Sequence, residues 1–150
     1  MDLELTKEHK MLQDSVKYFI KKEHSFERLR ELKTGTLGYS KDLWKKMAEL
    51  GWMELIFPEK YGGQELDLDF AMVLMEEFGR GVLPEPWFST VLLGGNLILM
   101  GGTETQKQEI LPKVGAGNLL MTLAYLEDGG RFDANFCATS ATPVAGNSDA

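Results

Sequence analysis

The sequence predicts a mainly α fold of about six helices, followed by the first strands of a β domain. Apolar residues recur at helical spacing through most of the first 116 residues. Capping residues, glycines and prolines cut that pattern into separate pieces. After Gly115 and Gly117 the pattern becomes a short apolar run at 119–126, whose length and flanking glycines favour a strand. The expected division is a helical part over 1–116 and a strand-forming part over 117–150.

Thr6 is placed to cap a first helix carrying Leu12, Val16, Phe19 and Ile20 on one side. A short second helix is expected from Ser25 to Leu32, with Phe26 and Leu29 turned inward. Gly35 and Gly38 break the chain before Ser40, which caps a third helix. Leu43, Trp44, Met47, Ala48 and Leu50 give that helix one broad apolar face. Gly51 closes it in the left-handed conformation, with Trp52 folding back onto Met47. Pro58 and Gly62-Gly63 make a rigid turn, and Asp67 caps a fourth helix with Phe70, Val73, Leu74 and Phe78 on one stripe. Glu77 falls on that stripe, so its carboxylate needs a partner, and Arg80 lies one turn on. A structural ion pair is the expected role; a tuned acid or base is the alternative.

Pro84-Glu85-Pro86 reads as a stiff connector to a helix from Trp87 to Met100 that is apolar nearly all round. Four buried turns are expected, too few to cross a bilayer. Gly94-Gly95 costs about 1 kcal/mol per glycine relative to alanine, so the missing side chains let something approach. The residues favour a close helix neighbour and leave an apolar ligand open. Thr103 and Gln106 form a capping box for a short last helix closed by Pro112. Residues 127–130 read as a turn, 136–144 as a second strand and 146–150 as a mobile polar end.

Composition narrows the function classes. The 150 residues are 43% hydrophobic and 26% charged, an ordinary globular balance. A formal charge of -7 argues against a nucleic-acid partner. The single cysteine, Cys137, forms no intrachain disulfide and fits a reducing cytoplasm, the expected location. The amino terminus has no apolar signal core, and no segment is long enough to span a membrane. His9 and His24 lack partners at metal-ligand spacing, and no hydrolytic triad or strand-to-helix glycine loop is present. No catalytic residue and no metal ligand is therefore assigned.

One ordered set goes further. Trp44, Met47-Ala48-Glu49-Leu50-Gly51-Trp52, Phe57-Pro58-Glu59-Lys60-Tyr61-Gly62-Gly63 and Glu76-Glu77-Phe78-Gly79-Arg80 stand in sequence. Gly102 to Lys107 and Leu111-Pro112 extend the set, which resembles the amino-terminal domain of acyl-CoA dehydrogenases. The resemblance implies an orthogonal helical bundle over 1–116 and the start of a middle β domain over 117–150. It also implies FAD as cofactor, an acyl-CoA thioester as substrate, and α,β-dehydrogenation with a carboxylate base taking the α-proton. An electron-transfer flavoprotein or similar acceptor, and a homo- or hetero-oligomeric assembly, are the implied partners. By this resemblance the helix at 87–100 borders the acyl groove, which reverses the packing preference and makes Val91, Leu92, Gly95 and Asn96 the substrate-lining residues. A Gly95→Phe substitution should then block acyl binding and spare the fold. Leu123, Tyr125 and Leu126 are the implied flavin contacts, with Leu126 where threonine is usual. Asp128-Gly129-Gly130-Arg131-Phe132-Asp133 departs from the usual Pro-Gly-Ala-Gly-Ser-Asp, with Phe132 in place of the serine. The variant resembles small subunits of paired dehydrogenases, some of which bind no flavin. The base and most flavin contacts belong to parts beyond this chain, which alone is expected to be inactive. A non-catalytic partner subunit and a free-standing helical module with an apolar groove are the alternatives.

Overall fold

The computed structural model describes residues 4–131, 133 and 135–142. Six α-helices follow in order: α1 (Lys7–Glu23), α2 (Phe26–Thr34), α3 (Lys41–Glu49), α4 (Leu68–Gly81), α5 (Asn96–Gly101) and α6 (Glu104–Gly115). A 3₁₀ turn at Glu59–Tyr61 separates α3 from α4, and a π-helix at Phe88–Gly95 runs into α5. The mainly helical expectation stands.

The helix starts follow from their capping side chains. Thr6 accepts from the His9 amide while His9 Nδ1 accepts from the Thr6 amide, a capping box with histidine in the third position. Ser25 accepts from Arg28 N–H, Ser40 from Leu43 N–H, and Thr103 with Gln106 closes the box at α6. Asp67 occupies the capping position before α4 without a side-chain cap bond. The Phe70 amide is taken by Asp67 O and by Asp69 Oδ1 instead. Gly51, at φ 76°, ends α3, with Trp52 N–H reaching back to Met47 O and Gly51 N–H to Ala48 O.

The core gathers at the middle of the chain. Phe19, Trp52, Phe78 and Trp87 form a chain of ring contacts with centroids 4.9, 5.8 and 6.1 Å apart, linking α1, the loop after α3, α4 and the π-helix. Trp87 Nε1–H donates to Trp52 O at 2.9 Å, so the largest buried side chain leaves no unpaired donor. Burying these rings supplies much of the driving force for closing the bundle.

Several expectations need correction. Phe26, at the start of α2, is 64% exposed, and Leu50, just past the end of α3, is 48% exposed. Pro112 does not close α6, which continues to Gly115. Helix 87–100 is neither uniform nor buried all round: it changes from π to α at Asn96, and Phe88, Leu97 and Met100 are exposed.

The described residues contain no β-strand. Residues 119–126 and 136–142 find no neighbouring strand, and a ladder needs two chains to share its hydrogen bonds. In the first run, half-buried 119, 121 and 123 alternate with exposed 120, 122 and 124, the period of an extended chain. Phe132, Val144 and residues 146–150 lie outside the described residues.

Candidate functional site

The two sets of site residues lie on the π-helix with the first residue of α5, and on the segment that leaves α6. Among the 88–95 turns, Asn96 N–H donates to Val91 O five residues back, the widened spacing of a π-helix. Val91 and Gly95 are buried, and Leu92 and Asn96 are half-buried. A methyl group on Gly95 would lie 2.5 Å from Phe57 Cζ, and one on Gly94 2.5 Å from Met121 Cβ. Both glycines therefore serve close packing, against a loop ring and an extended segment, with no helix as the neighbour. Gly95→Phe is therefore expected to cost stability and not to spare the fold, because its side chain would meet the fully buried Phe57 ring.

A cavity of about 370 Å³ opens beside the start of this helix. Its apolar wall includes Leu29, Met75, Phe78, Val82, Leu83 and Phe88, and it does not reach Val91, Leu92, Gly95 or Asn96.

On the second element, Leu123 is half-buried while Tyr125 and Leu126 are 59% and 63% exposed. Among the described residues the amides from Thr122 to Leu126 have no hydrogen-bond partner. Free amide donors beside an exposed phenol ring and an aliphatic side chain fit one edge of a flat, polar-rimmed ring such as flavin. They fit an edge and do not make a complete site. Downstream, the Glu127 carboxylate accepts from the Thr139 hydroxyl, Ala138 N–H and Thr139 N–H. Thr139 Oγ1–H above all holds its pKa below the ordinary glutamate value.

The charged groups singled out earlier have structural work. Glu77, 3% exposed, accepts from Gln13 Nε2 at 2.9 Å across to α1, with Arg80 Nη1 at 3.6 Å and Lys17 Nζ at 4.0 Å. It is a carboxylate held between α1 and α4, as the ion-pair reading required. Arg28 lies between His24 Nδ1, at 2.7 Å, and the buried carboxylate of Glu85, which also accepts from Ser40 N–H at 3.2 Å. Sequence spacing gave no hint of the Glu85 contacts, whose partners lie 45 and 57 residues away. Thr90 was also missed. Its signal was one of two adjacent hydroxyls, with Ser89, in an otherwise apolar helix. No cluster of three or more His, Cys, Asp or Glu among the described residues could hold a metal ion. No helix among them is long and apolar enough to cross a membrane.

The family described as "Acyl-CoA dehydrogenase, N-terminal domain" matches residues 6–118. The chain belongs to that family. The "Probable acyl-CoA dehydrogenase YngJ" of Bacillus subtilis (strain 168) is 35% identical over 143 residues, covering 94% of this chain and 37% of YngJ. An acyl-CoA dehydrogenase complexed with FAD from Bacillus anthracis matches with a TM-score of 0.70 at 30% identity, over 78% of this chain and 20% of that one. The Tcur3481-Tcur3483 steroid ACAD matches with a TM-score of 0.68 at 30% identity, over 86% of this chain and 34% of that one. The acyl-CoA dehydrogenase-family chain thus spans a little over a third of the YngJ length.

Proposed function

We propose that this chain is the amino-terminal helical domain of an FAD-dependent acyl-CoA dehydrogenase, joined to the opening segment of its middle domain over 117–150. It forms the acyl-chain side of the groove for α,β-dehydrogenation of an acyl-CoA thioester. The supporting observation is the family match over 6–118, followed at once by an exposed run with free amides at 122–126.

In this reading Leu92 and Asn96, which keep accessible surface, touch the substrate. Val91 and Gly95 hold their turn of helix in place from behind. Releasing water from the apolar surfaces favours a fatty or alicyclic tail. Leu123, Tyr125 and Leu126 lie along the flavin, with their backbone amides as donors to its edge. When bound, FAD supplies the hydride-accepting chemistry. The base that removes the α-proton comes from a further domain or a second chain, and an electron-transfer flavoprotein or similar acceptor takes the electrons. The paired designation of the Tcur3481-Tcur3483 protein supports an assembly of more than one chain.

Cofactor retention tests the reading. The purified chain, mixed with FAD and desalted, is expected to come out colourless. The chain joined to the portion of YngJ that follows its matched region is expected to come out yellow. A yellow isolated chain, or a folded but colourless joined protein, contradicts the proposal.

A further inference from the structure

We infer that Thr90 is a positioning residue that fixes the register of segment 119–126 on the helical domain. It thereby selects which side chains of that segment turn outward; that these meet flavin rests on the reading above. Thr90 has no exposed surface. A helical threonine hydroxyl commonly bonds a carbonyl in its own preceding turn. This one leaves its helix: it donates to Met121 O at 3.2 Å and accepts from Met121 N–H at 3.3 Å. One hydroxyl thus satisfies both backbone groups of one residue, the service a neighbouring strand gives in a sheet.

Gly94, one turn on, completes the seat, because a methyl group there would stand 2.5 Å from Met121 Cβ. Trp44 Nε1–H to Gly117 O at 2.9 Å, Asn118 N–H to Lys113 O at 2.9 Å and Leu119 N–H to Lys113 O at 3.2 Å lead the chain to this seat. Beyond Met121 the amides to Leu126 are free among the described residues, so the Thr90 clasp is the last point that sets their phase. Side chains alternate along an extended chain, and a slip of one residue exchanges the inward and outward sets.

The test uses the 150-residue chain. Amide exchange by NMR should be slower at Met121 than at Thr122. Thr90→Val should speed Met121 exchange by roughly fivefold to thirtyfold, the equilibrium factor for one or two ordinary hydrogen bonds, while Thr90→Ser stays near wild type. In a Cys137→Ser background, a thiol at Ala124→Cys should label faster than one at Leu123→Cys. Thr90→Val should erase that contrast and Thr90→Ser should keep it. Equal exchange at Met121 and Thr122 in the wild-type protein overturns the inference. So does a folded Thr90→Val variant with both readouts unchanged. Should that variant not fold, the wild-type comparison decides. None of these readouts involves FAD. A failed clasp leaves the dehydrogenase reading standing, and a colourless joined protein leaves the clasp standing.

Discussion

His24 owes its state to its neighbours. Burial, together with the adjacent Arg28 guanidinium, pushes its pKa below the ordinary histidine value of 6.5, and the buried Glu85 carboxylate only partly offsets this. The imidazole is therefore neutral and accepts from Arg28 through Nδ1. The folded state resists a proton that the unfolded chain binds readily. The stability contributed by neutral His24 is complete above the ordinary histidine range and declines as pH falls through about 6.5 toward the lower folded value. The melting temperature of the wild-type protein should therefore fall more between pH 7 and pH 5.5 than that of His24→Asn. Parallel curves for the two proteins would remove His24 from the account. Of this residue-scale chemistry, the caps and the Glu77–Arg80 ion pair were legible in the sequence. Thr6, Ser40 and the Thr103–Gln106 pair act within four residues, so spacing alone reveals them. The roles of His24, Glu85 and Gln13 depend on contacts 4, 57 and 64 residues apart, and the two longer ones exist only once the helices have packed.

At the scale of elements, the glycine pair decides how closely the π-helix approaches the rest of the bundle. Gly95→Ala forces a methyl group against the buried Phe57 ring, at 2.5 Å before relaxation. The expected cost is about 1–3 kcal/mol, the usual range for overpacking, read as a lower urea midpoint at unchanged slope. No loss of stability would mean that the ring has a second position to occupy. The closure of α3 at Gly51 was legible because a left-handed glycine after an apolar helical face has few other uses. The exposure of Phe26 and Leu50 was not, since a hydrophobic residue at the edge of a stripe reads the same whether or not a neighbour covers it. The passage through Pro112 was hidden for a related reason. Proline removes one amide, and the rest of that helix is held by its capping box and by Leu111 and Val114, both fully buried.

Over its described residues the molecule is a helical domain with an aromatic spine and an extended exit that pairs with no strand. Its helical character was readable because each helix carries its own punctuation and period. The expected strands are not seen among the described residues, since a strand becomes one only when another chain segment accepts its hydrogen bonds. On the proposed reading the site is partial, with the π-helix and the exit segment supplying one wall each. The most direct test of the account is the visible spectrum of the joined protein, followed under anaerobic conditions as an acyl-CoA thioester is added. The account predicts that the flavin band bleaches with the thioester and not with the corresponding free acid, and that a folded joined protein lacking residues 119–126 retains no flavin. A flavin that stays oxidised in the presence of a series of acyl-CoA thioesters, in a protein that binds FAD stoichiometrically, would contradict it.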